Sequence, residues 1–166
     1  MRNHLVIALV MALMTTGVFA LDLGGGLMLT TQTMQYEGPE GHISSEEMNS
    51  VGFGLFAFLG WKYMDINIGA SYNSITMADE DSRFTWISLF FGLYLKLPIT
   101  ITPSFRIYPT IGADSDRGGL NFRGGAGADV ILRKNMYLRG NILYGLNYSY
   151  GFTHGFLFKL GLGWVL

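Results

Sequence analysis

The chain has 166 residues, no cysteine, 23 glycines and a formal charge of −1. Only 14% of its residues are charged, against about a quarter in a typical soluble domain, while 14% aromatic content excludes a disordered chain. The near-neutral balance leaves no basic footprint for nucleic acid, and the lack of cysteine removes disulfides, thiolate chemistry, cysteine-based zinc sites and lipoprotein acylation.

Residues 1–20 read as an export signal. Arg2 supplies a basic start, Leu5 to Met14 an apolar core, Thr15-Thr16-Gly17 a break, and Val18-Phe19-Ala20 small residues for cleavage after Ala20. The apolar core is too short to span a bilayer as a helix, and no later stretch is long and apolar enough to do so. Residues 21–166 are then expected to form one domain.

From Leu21 onward the hydrophobic pattern has a period of two, the signature of strands whose side chains point alternately to opposite faces. Leu21 to Tyr36 sets Leu23, Leu27 and Leu29 against Asp22, Gly24 and Gly26. Met48 to Leu59 sets Val51, Phe53 and Leu55 against glycines plus Phe56 and Phe58. Met64 to Ile75 opposes Ile66, Ile68 and Tyr72 to Asp65, Asn67 and Asn73. Phe84 to Leu97 opposes Ile87, Leu89 and Phe91 to Ser88, Tyr94 and Lys96. Thr100 to Ala113 opposes Ile101, Ile107 and Ile111 to Arg106 and Thr110, with Pro103 and Pro109 inside the strand, where each removes a ladder donor and predicts a bulge or fraying. Gly119 to Leu132 opposes Leu120, Phe122 and Val130 to Arg123 and Asp129. Met136 to Tyr150 opposes Leu138, Ile142 and Tyr144 to Arg139 and Asn141. His154 to Leu166 sets Phe156, Phe158, Leu160, Leu162, Trp164 and Leu166 against Leu157, Lys159 and glycines.

The apolar face of these eight segments carries no charge. The other face carries Lys96, Arg106, Arg123, Arg139 and Lys159 with Asp22, Asp65 and Asp129, five bases against three acids. Eight uniformly bulky faces would overfill a small lumen, whereas a glycine-rich charged face fits one. The expected fold is therefore an all-β, eight-stranded antiparallel up-and-down barrel with its apolar face in lipid and no unpaired backbone edge in the bilayer. Short connections at 60–63, Pro98-Ile99 and Arg133-Lys134-Asn135 alternate with longer ones at 37–47, 76–83 and 114–118, the outer-membrane arrangement. The three-residue turn also predicts that Asp129 and Arg139 stand opposite one another and point inward.

These features, with the terminal Phe158-x-Leu160-x-Leu162-x-Trp164-x-Leu166 run, resemble the small bacterial outer-membrane barrels of the OmpA/OmpX type. The resemblance covers the whole of residues 21–166 and is architectural. It implies an outer-membrane location and a last strand (Phe158, Leu160, Leu162, Trp164, Leu166) read by the barrel-insertion machinery. Such terminal strands usually end in Phe or Trp, and this one ends in Leu166. An aromatic girdle is expected from Trp61 and Trp164 at the short-turn end and Tyr72, Tyr148 and Tyr150 at the long-loop end.

Candidate chemistry is sparse. The loop acids Glu37, Glu40, Glu46, Glu47, Asp79, Glu80, Asp81, Asp114 and Asp116 invite a calcium reading, but Asp114-Ser115-Asp116-Arg117-Gly118 lacks the further ligands of a calcium loop. A solvated loop surface explains them better. No His-x-Ser arrangement of the lipid-A deacylase kind is present, since Gly155 and Phe156 follow His154, and no third group orients a Ser149/His154 pair. The glycine runs at 24–26 and 124–127 precede no helix that could cap a phosphate. The reading is a non-enzymatic, cofactor-free monomer in contact with membrane lipid. Its lumen is largely plugged by the charges Asp22, Asp65, Lys96, Arg106, Arg123, Asp129, Arg139 and Lys159, and its loops are free to meet an extracellular partner. A narrow solute channel is the alternative. A secreted lipocalin-like barrel would need the faces reversed and the early Gly-x-Trp motif, for which Gly60-Trp61 and Gly163-Trp164 lack the spacer.

Overall fold

A computed structural model describes residues 21–35, 48–76, 83–116, 119–147 and 152–166. The proposed signal at 1–20, the loop acids at 37–47 and 79–81, and Tyr148 and Tyr150 lie outside the described residues.

The described chain is all strand and turn. Its elements are β1 (Asp22–Gln35), β2 (Met48–Gly60), β3 (Met64–Thr76), β4 (Arg83–Lys96), β5 (Ile99–Thr102), β6 (Phe105–Asp116), β7 (Gly119–Arg133), β8 (Met136–Asn147) and β9 (Phe152–Val165). Each pairs antiparallel with its chain neighbour from β1 to β4 and from β5 to β9. β1 also pairs along its whole length with β9, and β4 pairs with β6, so the sheet closes into a ring of eight staves. Closure satisfies the edges that an open sheet would leave exposed in lipid.

Nine strands make eight staves because β4 and β5 are two pieces of one. Lys96 pairs with Thr110 and Ile99 with Ile107, the same register on either side of Leu97-Pro98. The ladder lapses there for a chemical reason. The Leu97 N–H donates to the Pro109 carbonyl at 3.2 Å, but Pro109 has no N–H to return the bond, and Pro98 has none either. The sequence reading placed the turn at Pro98-Ile99 and ran one strand from Thr100 to Ala113; the chain instead reverses at Pro103-Ser104. Pro103 is the second residue of the Thr102-to-Phe105 turn, a position its fixed φ suits, and the Ser104 N–H donates to Thr102 Oγ1 at 3.3 Å. The register also slips between Thr100 and Thr102, a bulge next to the turn.

Two further boundaries move. β6 continues to Asp116 and β7 begins at Gly119, so the 114–118 segment is not a long loop. β9 begins at Phe152, so Phe152 and Thr153 belong to the wall, opposite Gln35 and Met34 of β1.

The faces are inside-out relative to a soluble barrel. Leu89 is 72% exposed and Phe53 67%, while Arg139 is 3% exposed and Asp129 4%. Outward side chains include Leu23, Leu27, Leu55, Ile68, Phe91, Ile111, Phe122, Ile142 and Leu160. A contiguous apolar exterior of this extent has no stable place in water, and it forms the lipid-contacting wall. Inside, Met28, Phe56, Phe58, Tyr94, Tyr137, Leu143 and Leu157 make a buried apolar cluster between the charges. Glycine lets the walls come close: a Cβ on Gly26 would collide with the Leu160 carbonyl oxygen and Gly161 Cα across the β1–β9 seam. Outward-facing Gly140, by contrast, has nothing within 4 Å of the same position.

Candidate functional site: a charged barrel lumen

Alternation carries charged side chains from seven of the eight staves into the bore. At the end where β1 begins and β9 finishes, the Arg139 guanidinium (β8) is the hub. Its Nε donates to Asp129 Oδ1 at 2.8 Å and its Nη2 to Asp129 Oδ2 at 3.0 Å, a two-pronged bond across the β7–β8 pair. Asp129 and Arg139 are directly paired in the ladder. Arg139 Nη1 also reaches Asp65 on the opposite wall, 3.2 Å from Oδ2, and Nη2 lies 3.8 Å from Asp22 Oδ2. Lys96 Nζ donates to Asp65 Oδ1 at 2.6 Å.

Tyrosines and a phenylalanine complete this cluster. The Tyr108 hydroxyl donates to Asp129 Oδ1 at 3.3 Å and the Tyr137 hydroxyl to Asp22 Oδ2 at 3.1 Å. The guanidinium carbon stacks 4.7 Å from the Phe58 ring centre and 4.8 Å from that of Tyr137. An arginine fork suits this role, because its planar donors engage several carboxylates while its faces lie on rings.

A second cluster lies toward the loop end. Asp114 (β6) accepts from the Tyr94 hydroxyl at 2.5 Å, from Asn121 Nδ2 at 2.8 Å and from Arg123 Nη2 at 3.2 Å, and Arg123 Nε forms a further close bond to it. Asn147 Nδ2 extends the chain of bonds to Asn121 Oδ1 at 3.0 Å. Asp114 is 2% exposed, which corrects the reading of it as a solvated loop acid. The signal was in the sequence: Asp114 continues the even-numbered inward series Arg106, Tyr108, Thr110, once β6 is allowed to run past Ala113.

Lys159 (β9) lies between the clusters. Its Nζ donates across the bore to Asn67 Oδ1 of β3 at 3.0 Å and sits 4.3, 5.4 and 5.6 Å from the ring centres of Tyr94, Phe90 and Phe56. Of the eight proposed lumen charges, Asp22, Asp65, Lys96, Asp129 and Arg139 form one network, and Arg123 joins Asp114 instead. Lys159, bonded to Asn67 among the rings, and Arg106, half-buried opposite Asp129, make no ion pair within 4 Å among the described residues.

One void of about 20 Å³ adjoins Asp114, Arg123, Thr30 and Asn73, and another of about 10 Å³ adjoins Lys159, Asn67, Thr110 and Arg139. Each has room for roughly one water molecule. Among the described residues there is no cluster of His, Cys, Asp and Glu that could hold a metal ion.

Leu160, Leu162, Trp164 and Leu166 of the last strand are exposed on the outer face and Phe158 is half-buried on the same face. Trp164 and Tyr72 are 46% and 55% exposed, Trp61 is half-buried in the β2–β3 turn, and Lys62 Nζ lies 4.9 Å over the Tyr63 ring beside it.

No protein-family model and no curated protein matches the sequence. Among solved structures, Neisserial surface protein A superimposes with a TM-score of 0.57 over 89% of this chain and 98% of that one, at 8% identity. The fold is that of a small outer-membrane β-barrel. Two autotransporter domains align less closely. They are the translocator domain of NalP from Neisseria meningitidis (TM-score 0.37, 10% identity, 99% of this chain and 95% of that one) and the β domain of Bordetella BrkA (0.35, 10%, 86% and 99%). At such identities the likeness extends to the fold alone.

Proposed function

We propose that the protein is an integral barrel of the bacterial outer membrane that serves as a structural, surface-displaying element with a bore closed by its own side chains, and that it performs no catalysis. The carrying observation is the Arg139 hub, which ties Asp129, Asp65 and Asp22 from three other staves across the lumen. An eight-stranded ring has an interior that side chains can fill, and the paired charges and rings that point inward support this reading. In this reading residues 1–20 are a signal removed on export, the loops are the partner-facing part, and the barrel works as a monomer. Its outward Leu160, Leu162, Trp164 and Leu166 present the strand that the insertion machinery engages.

A narrow channel is the second reading, favoured by the two water-sized voids. Planar-bilayer recording of the purified, detergent-extracted protein separates the two. A closed bore gives no stable large conductance; steady porin-like steps would overturn closure and promote the channel.

A further inference from the structure

The charged side chains described in the bore differ in how they are partnered. The described inward acids are Asp22, Asp65, Asp114 and Asp129, and each has a basic partner within 4 Å. The terminal-end cluster combines three acids with Lys96 and Arg139, and half-buried Arg106 lies opposite Asp129 in the ladder without an ion pair within 4 Å among the described residues. The loop-end pair Asp114–Arg123 is neutral. Lys159 differs in its depth: it is 4% exposed, with no carboxylate within 4 Å among the described residues.

Its position matters as much as its charge. Lys159 crosses from β9 to Asn67 on β3 at mid-bore, and the Tyr94, Phe90 and Phe56 rings close around it. The ammonium has three donors, of which Asn67 takes one. Thr110 Oγ1, buried and without a hydrogen-bond partner among the described residues, lines the same water-sized void. That void admits water, whereas any ion moving along the bore must pass the ammonium at close range. In a medium poorer in water than bulk solvent, a like charge is repelled strongly and an opposite one is not.

We propose that Lys159 is the cation-excluding residue of the bore: its buried ammonium, with no carboxylate within 4 Å among the described residues, stands where three aromatic rings close in, so that potassium, sodium and hydrated protons are barred while water and, under driving force, small anions are tolerated. This rests on the closed-bore reading above and assigns the source of its ion selectivity. Lys159→Met keeps nearly the bulk and removes the charge, Lys159→Glu reverses it, and Lys62→Met in the exposed β2–β3 turn serves as control.

The test is current through full-length protein in planar bilayers at pH 6 under a KCl gradient, with folding of each variant checked by heat-modifiable gel mobility. Residual wild-type and Lys62→Met current should reverse toward the chloride potential. Lys159→Met should raise potassium leak roughly tenfold, and Lys159→Glu further still. Folded Lys159 variants as tight to potassium as wild type, or leaks that stay chloride-selective, would overturn the proposal. So would a potassium-selective wild-type residual current, an outcome readable even if no variant folds. Large wild-type steps would instead defeat the closed-bore reading itself.

Discussion

A buried arginine facing three carboxylates is stable only as a set. Arg139 repays its lost hydration through Asp129, Asp65 and Asp22, and cutting the hub leaves Asp129 and Asp22 without a basic partner within 4 Å among the described residues while Asp65 keeps Lys96. Arg139→Gln should cost on the order of 3–5 kcal/mol. Asp129→Asn should cost less, because Arg139 keeps Asp65. The double variant should be less damaged than the sum, by about 0.5–3 kcal/mol. Urea unfolding of barrels refolded in lipid vesicles measures each value, and strictly additive losses would show that the pair is not coupled. The residue scale was only partly legible in sequence. Strict alternation gave Asp129 and Arg139 the same face and the short turn after β7 gave their register, but Asp114 was hidden because a short acidic, serine- and glycine-containing run reads as loop. Which acid meets which base across the bore depends on stave order and tilt, which no local pattern encodes.

Glycines divide by the same logic of faces. Gly26 faces the closely approached β9 backbone, so Gly26→Ala should destabilise by about 1–3 kcal/mol through overpacking. Gly140→Ala, pointing into open space on the outer wall, should be near neutral in the same unfolding measurement. Equal effects at both positions would contradict the assignment of faces.

Among the elements, the β4–β6 junction is the weakest seam. It has seven paired positions before the Leu97-Pro98 lapse and a short β5 continuation beyond it, against fourteen along β1–β9. Amide exchange should therefore be faster for Leu95, Lys96 and Ile111 than for Leu27, Met28 and Lys159 in the β1–β9 seam; the reverse order would contradict this ranking. The strand boundaries were misread here because Pro98 looks like a turn residue. In the barrel it interrupts the ladder without turning the chain, and the reversal falls at Pro103, which suits a turn better. β9 closes the ring through Gly163, Trp164 and Val165 on β1 and β8, and the Leu166 N–H donates to the Leu21 carbonyl at 2.9 Å. Deleting Gly163 to Leu166 should leave the chain uninserted. Normal assembly of that truncation, judged by membrane fractionation, would refute the role given to the last strand.

At the scale of the whole molecule, architecture was the most legible level. A period of two repeated around the ring, with charge confined to one face, admits few closed solutions. Whether that face looks in or out decides between a soluble and a membrane barrel. The exposed Leu89 and Phe53 and the buried Arg139 and Asp129 place the apolar face outside. That inside-out barrel is the central claim, and its most direct test is gel mobility of the protein in the detergent-extracted membrane fraction, with and without boiling. The account predicts that the protein leaves the membrane only with detergent and runs faster unboiled than boiled. A protein that stays soluble in aqueous buffer and runs identically in both states would contradict it.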